Sequence, residues 1–439
     1  MKRIRTAVLA ALLALALAGC GNLTAKDMYA LPKRSREYAQ LQSAIDASMY
    51  GLTYSSPRSG ENQQTVQMAD LTGDGVPEYL VFAKGNSDKP LQILIFQETS
   101  DGAYSLMETI QMNGAAFEQV EYTDIDGLPG SEIIVGRRLS NQMMRIAAVF
   151  SFADGQSSQL INTLYGKFFS CEMIPGAGSE LVVIRDGEAE ASNATVVIYT
   201  FRDSVLERSK EIQLSGRLDR IRRIKTSRLQ SGETAIYIAS SVNDSAIITD
   251  ILALKDGSLI NLSAFSESGN SVQLLRNYYL YLEDIDEDGV MELPSLLDMK
   301  AASTDSQIRQ HMICWYAKDI DGREYKKMYT FHNLDGGWYL RLDNSWAERF
   351  TVEQNGGNYT FYMWSADYSV AQPLFTIFAL TGKDMNQEAN ANNRFVLYRG
   401  ENIIYSAKLE IGSAMYGFDE EYLKNSFRMI HTDWKTEGA

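Results

Sequence analysis

Short apolar runs separated by polar turns dominate the chain beyond residue 61, at lengths that suit β-strands. A different period precedes them. Tyr38, Leu41, Ile45 and Met49 are spaced by three and four residues, which predicts one short amphipathic helix from Arg36 to Tyr50. Residues 51–62 are rich in Ser, Gly and Asn and read as loop, so 36–60 forms a short helix-and-loop segment. The apolar runs then recur in register. "VPEYLVF" at 76, "GSEIIVG" at 130, "GSELVVI" at 178, "GETAIYI" at 232 and "VMELPSL" at 290 each set a glutamate against an apolar run. Those glutamates, Glu78, Glu132, Glu180, Glu233 and Glu292, are 54, 48, 53 and 59 residues apart. A second series keeps step: Asp101-Gly102, Asp154-Gly155, Asp203-Ser204, Asp256-Gly257 and Asp321-Gly322 each lie between two strand-like runs, where such a pair signals a hairpin.

Each period therefore holds four short strands. They fall near "TVQMA", "EYLVFA", "LQILIF" and "YSLMETI" in the first, and near "FEQVEY", "EIIVG", "RIAAVFSF" and "QLINTLY" in the second. Four strands in roughly 50 residues, repeated, predict a mainly β chain folded as a β-propeller. Five four-stranded blades are detectable over residues 61–335, with six or seven possible. A β-sandwich is the competing all-β reading, but it gives no reason for a turn series locked to a glutamate series. Beyond residue 310 the composition shifts, and all five tryptophans lie there. The strand-like runs "FTVEQ", "YTFYMW", "LFTIFAL", "RFVLY" and "IIYSAKL" are followed by a helical pattern with Leu423, Phe427, Ile430 and Trp434 on one face and Asp419 as N-cap. Residues 336–439 thus predict a small C-terminal α+β domain; further degenerate blades are the alternative.

The N-terminus changes the setting. Lys2, Arg3 and Arg5 precede an apolar run from Ala7 to Ala18, a secretory signal too short to span a membrane. The ending Leu17-Ala18-Gly19-Cys20 resembles a bacterial lipobox. That resemblance implies removal of residues 1–19, a lipid on the Cys20 thiol, a polar tether over 20–35, and a place on the outer face of the bacterial cell membrane. Anchoring of this kind needs more than one acyl chain, which a lipidated cysteine would carry. The net charge is −15, and −18 once the three basic residues of the signal are gone, which disfavours nucleic acid and anionic membrane surfaces as direct partners. Cys171 and Cys314 remain; outside the cytoplasm they could pair or stay as buried thiols.

The strongest candidate chemistry is "DIDEDGVME", residues 284–292. Asp284, Asp286 and Asp288 take positions 1, 3 and 5, Gly289 permits a sharp turn, and the Val290 carbonyl and Glu292 complete the set. Alternate oxygens in a tight loop suit Ca²⁺, which accepts six to eight of them in flexible geometry, better than the strict octahedron of Mg²⁺. An EF-hand is excluded, because position 12 is Ser295 and the flanking "YYLYL" and "LPSLL" read as strands. The first repeat carries a near copy: Asp70, Thr72, Asp74, the Val76 carbonyl and Glu78. The second keeps Asp124, Asp126 and Glu132 but has Leu128 at position 5, a weaker candidate. The third ("EMIPGAGSE") and fourth ("KTSRLQSGE") retain little beyond the glutamate. A plain turn explains Asp and Gly equally well at any one site. The motif joining two strands of a blade resembles the FG-GAP or VCBS repeats of integrin-α-like β-propellers, closely in two repeats and loosely in three. That resemblance implies structural Ca²⁺ sites that fasten one strand connection to the next.

Catalytic signatures are missing. His311, His332 and His431 sit in no metal-ligand spacing, and no nucleophile elbow, P-loop or dinucleotide fingerprint occurs. Tyr359, Tyr362 and Trp364 could stack on sugar, but alternate ones suit a core better. The sequence therefore predicts a lipid-anchored extracytoplasmic binding or scaffold protein, for a protein or glycan partner, with a carbohydrate-active lyase or hydrolase as the alternative. A solute-binding lipoprotein would alternate strands and helices, which residues 61–335 do not.

Overall fold

A computed structural model of the chain describes residues 36–139, 144–153, 155–187, 192–243, 246–263, 275–276, 280–301, 310–344 and 349–430. The signal-like stretch, Cys20, the tether over 20–35, Asp154, Trp346, His431 and Trp434 lie outside the described residues. The described residues form a mainly β protein of six antiparallel sheets in chain order. The chain divides into two compact units, one of Met1–Val120 with Arg137–Asn141 and Phe152–Ser158, the other of the remainder.

In the smaller unit, the helix Arg36–Ser48 buries Leu41 and Ile45 against Val81, Ala83, Leu94 and Phe96 of the first sheet. That sheet runs Thr53–Tyr54, Glu78–Lys84, Leu91–Glu98, Tyr104–Met112, with Val66–Ala69 extending the Thr53–Tyr54 edge. The segment read as loop over 51–62 thus holds a two-residue ladder, Thr53 and Tyr54 opposite Lys84 and Ala83. Two residues are too few to show a period in sequence.

The second sheet runs Ala116–Thr123, Glu132–Arg138, Arg145–Ala153, Gln156–Leu164. The third runs Lys167–Cys171, Glu180–Arg185, Thr195–Arg202, Val205–Arg208, and the fourth Ile221–Arg228, Thr234–Asn243, Ala246–Lys255, Ser258–Asn261. Successive side chains of a strand point to opposite faces, and in the third sheet both faces are buried. Leu181, Val183, Val197 and Tyr199 pack with Ile134 and Val149 of the second sheet. Their neighbours Val182, Ile184, Val196 and Ile198 pack with Ile236, Ile238 and Leu252 of the fourth. The fourth repeats the device, turning Tyr237, Ile251 and Ala253 toward Leu293 and Tyr316 of the fifth. Sheets that share a core with the sheet before and the sheet after explain the unbroken apolar runs such as "LVVI", and they define a β-propeller-like fold. Hairpins close where the aspartates predict: Asp203 and Ser204 have φ of 48° and 67°, and Asp256 and Gly257 of 50° and 73°, the paired left-handed residues of a twisted two-residue turn.

The fifth sheet runs Leu293–Asp298, His311–Lys318, Glu324–Asn333, Trp338–Leu342, Phe427–Met429. The sixth runs Phe350–Asn355, Asn358–Trp364, Ala371–Leu380, Ile404–Leu409, Phe395–Arg399. One cluster unites them, Met312, Phe331 and Trp338 with Phe350, Phe361, Phe375 and Phe427. The C-terminal helix is shorter than its apolar spacing predicts. It spans Glu420–Ser426, capped by the Asp419 carboxylate, which accepts the Tyr422 N–H at 2.7 Å. Phe427 leaves the helix to form a strand beside Leu340, which pairs that edge and stacks its ring on Trp338. Of the aromatics considered for sugar stacking, Tyr359 and Trp364 are buried in the core, and Tyr362, half-buried, donates its hydroxyl to Glu353. Cys171 and Cys314 are free thiols on the third and fifth sheets, and burial raises both; Cys171 reaches about 12.

His332 is partly buried with both ring nitrogens out of water, stacked on Tyr339 at 5.0 Å and near Trp315. Burial pushes its pKa down to about 3. The unfolded chain therefore takes up a proton at this residue below pH ~6.5 that the folded chain refuses, and stability falls as pH drops toward 3. Between pH 7 and pH 5 that amounts to about 2 kcal/mol. Urea titrations of His332→Phe, which keeps the stacked ring, should show a loss on acidification smaller than the wild-type loss by that amount.

Candidate metal centre

In three sheets a loop enters the second strand, and in the fifth a loop enters the first, Leu293–Asp298; a glutamate closes all four in the same way. Glu78 accepts the Leu71 N–H at 2.8 Å, Glu132 the Ile125 N–H at 2.6 Å, Glu180 the Met173 N–H at 2.8 Å and Glu292 the Ile285 N–H at 3.0 Å. Each donor lies seven residues before its acceptor and belongs to a buried apolar side chain that plugs the loop. A buried N–H needs an acceptor, so the glutamate series is first a series of backbone caps. The apolar residue at position 2 of each loop was its legible signature. Glu233 departs from the series. Its loop is a tight turn from Leu229 to Glu233, and the residue seven before it, Thr226, is already paired in a strand with Ile236.

The Asp284–Glu292 loop adds a cluster to its cap. Asp284 accepts the Asp288 and Gly289 N–H groups, both at 2.9 Å, which curls the loop. Gly289 has φ of 84°, and Glu287 at position 4 has φ of 66°, where Gly73 and Gly127 stand in the other loops at 75° and 74°. Position 4 therefore shares the left-handed turn that the motif's glycine at position 6 makes in the first and third acidic loops. Carboxylate oxygens of Asp284, Asp286 and Glu292 come within 4.8 Å of one another. Asp286 Oδ1 and Glu292 Oε1 are buried and have no hydrogen-bond partner. Glu292 is pushed up to about 8 by burial and then by Asp286 and Asp288; Asp286 is raised too, by burial first and then by Asp288. Asp288 is turned aside: Oδ1 accepts the Val290 N–H at 2.8 Å and Oδ2 the Lys327 ammonium. Burial alone would raise Asp288, but those partners hold it below its ordinary value. Of the strand expected before the loop, Tyr278 and Tyr279 lie outside the described residues; among those described, Glu283 makes a single bridge with Glu292, and Leu280, Tyr281 and Leu282 are buried outside any ladder.

The first loop is built alike. Asp70 accepts the Gly73 and Gly75 N–H groups at 2.7 and 2.9 Å, and Asp74 the Val76 N–H at 2.7 Å. Its second glutamate oxygen is satisfied, since the Thr72 hydroxyl donates to Glu78 Oε1 at 3.2 Å. Thr72, Asp74, Val76 and Glu78 also line a cavity of about 540 Å³ with Gln97, Glu98, Leu106, Met107 and Gln156. In the second loop Asp124, Asp126 and Glu132 again bring oxygens within 4.8 Å of one another, and burial, followed by Asp126 and Asp124, lifts Glu132 to about 7. The third loop has the cap, Glu180, without an aspartate triad.

A β-propeller-like protein whose strand connections carry acidic, glutamate-closed loops is the class these features define. No family model matches the chain, and no curated protein does. Solved structures similar to it include a protein from Lactobacillus plantarum, with 13% identity over 72% of this chain and 85% of that one at a TM-score of 0.26. They also include the exotype rhamnogalacturonan lyase YesX (10% identity, 76% and 80% covered, TM-score 0.29) and the Bacillus licheniformis rhamnogalacturonan lyase PL11 (11%, 77% and 80%, TM-score 0.30). At those scores the likenesses carry no inference about what this chain does.

Proposed function

We propose that this chain is an extracytoplasmic binding protein of the FG-GAP/VCBS type, tethered to the cell membrane by a lipid on Cys20, with Ca²⁺ fastening its blade connections. The observation that supports the metal reading is the pair of buried, partnerless oxygens, Asp286 Oδ1 and Glu292 Oε1, converging with Asp284. A buried carboxylate oxygen without a donor is costly, and a hard cation is the partner that three such oxygens suit. Asp284, Asp286 and Glu292 would hold it, with Asp288 and the Val290 carbonyl as further ligands. Asp70, Thr72, Asp74, the Val76 carbonyl and Glu78 would hold a second, and Asp124, Asp126 and Glu132 a weaker third. The ion would supply charge neutralisation and a rigid strand connection.

The cavity beside the first loop supports a ligand-binding role. Carboxylates, two amides and the apolar Leu106 and Met107 line it, a mixture that suits a polyhydroxylated ligand, donating to the acids and laying its C–H face on the apolar side chains. Glycan-array binding should pick out a sugar class, and Gln156→Ala should weaken that binding at least severalfold with no change in melting temperature. Retention of full affinity by Gln156→Ala would place the ligand elsewhere. A lyase or hydrolase is the second reading, because Asp74, Glu78 and Glu98 put three carboxylates in one cavity. It requires release of shortened or unsaturated sugars from a polysaccharide, lost in Glu98→Gln.

A further inference from the structure

The three acidic loops differ in one respect that the motif does not contain. Among the described residues, Asp74 and Asp126 accept only backbone N–H groups within their own loops, Val76 at 2.7 Å and Leu128 at 2.9 Å. Asp288 makes the same internal bond to Val290, but its outer oxygen holds the ammonium of Lys327, thirty-nine residues away on the strand Glu324–Asn333. The Lys327 side chain is 15% exposed and the Asp288 side chain 39%, so the pair is shielded from water and salt on the lysine side only. Beside it Arg341 binds Glu287 at 2.9 Å. The loop thus carries two cationic side chains where the other two carry none among the described residues.

We infer that Lys327 is a tethered rival of the metal at the Asp284–Glu292 loop: its ammonium occupies the position-5 carboxylate, and a divalent cation enters only by displacing it. The inference rests on the Ca²⁺ reading proposed above. Asp288 Oδ2 is the oxygen left for a metal once Oδ1 is committed to the Val290 N–H. A cation that takes it must break an ion pair, and while the ammonium stays near, the two positive charges repel. Both effects weaken the loop for metal. The ion pair also keeps it neutralised and folded without metal, a partner that the first loop lacks among the described residues. This loop would therefore respond to changes in Ca²⁺ over a higher range than its motif alone would give.

The test is calorimetric titration of the full chain with CaCl₂, comparing wild type, Lys327→Met and Lys327→Arg, each with and without Asp286→Asn to isolate this loop. Lys327→Met keeps the length and apolar stem but removes the charge. Its Asp286-dependent site should bind about tenfold tighter, the scale of one partly shielded ion pair. Lys327→Arg should stay within about twofold of wild type. Melting supplies the second readout: Lys327→Met should melt lower than wild type in chelator and as high or higher in Ca²⁺. An equal drop under both conditions, or unchanged affinity in Lys327→Met, would mean that the lysine is only structural and would overturn the inference. If wild type shows no Asp286-dependent binding at all, the Ca²⁺ reading itself fails and takes the inference with it.

Discussion

Millimolar Ca²⁺ should raise the melting temperature of the chelator-treated protein by several degrees, and Asp286→Asn should remove most of that rise. A cation that binds only the folded chain adds RT ln(1 + [L]/Kd), about 2.7 kcal/mol at a hundredfold excess over Kd. Asp286 is the residue to change because its Oδ1 is buried without a partner. Asparagine keeps the shape and removes the charge, so the site loses affinity while the loop keeps its turn. The same variant should be at least as stable as wild type in chelator, since the charge beside Asp288 and Glu292 is gone. This crossover separates a metal ligand from a residue that merely packs. As a control, Glu180→Gln lies in a loop with the cap but no triad. It should cost about 1–2 kcal/mol equally with and without Ca²⁺, because it weakens a buried acceptor and nothing else. A melting temperature indifferent to Ca²⁺ in wild type would remove the metal from the account.

What could be read ahead of the structure was whatever the chain repeats. The glutamate and Asp-Gly series located strand starts and hairpins because each recurs through the first five sheets, and backbone caps and left-handed turns demand particular residues there. Glu233 shows the limit of that reading: the letter recurs, but a shortened turn removes the N–H it would cap. Phe427 shows another. Its spacing from Leu423 fits a helix, yet the open edge of Trp338–Leu342 and the ring of Trp338 draw it into a strand. Lys327 had no local signal at all, since it reaches Asp288 across strands whose pairing only the folded chain sets. Asp288 is therefore where the fold adds most to the motif: the motif offers it as a ligand, and the fold gives its outer oxygen a lysine partner.

Trp338→Ala should destabilise the protein by about 3–5 kcal/mol, the usual cost of emptying a buried tryptophan site. Trp338 is 1% exposed and stands among Phe331 at 5.8 Å, Tyr359 at 5.5 Å, Tyr405 at 6.1 Å and Phe427 at 5.3 Å. Those rings come from both of the last two sheets, so the cavity would loosen both at once. The consequence bears on organisation. The domain boundary expected from the sequence, between residues 335 and 336, falls in the turn of the hairpin that joins Glu324–Asn333 to Trp338–Leu342. If 336–439 carried its own core, the variant would expose only that segment. With the core shared, hydrogen exchange should show protection lost together in 311–342 and in 350–409, while the third sheet, packed on the second and fourth, keeps its protection. Loss confined to residues beyond 336 would favour an independent C-terminal domain. Loss across both sheets would make the last hundred residues part of the same cooperative β structure as the blade before them, and the metal loop at Asp284–Glu292, which leads directly into Leu293–Asp298, would then sit at the entrance to that shared unit.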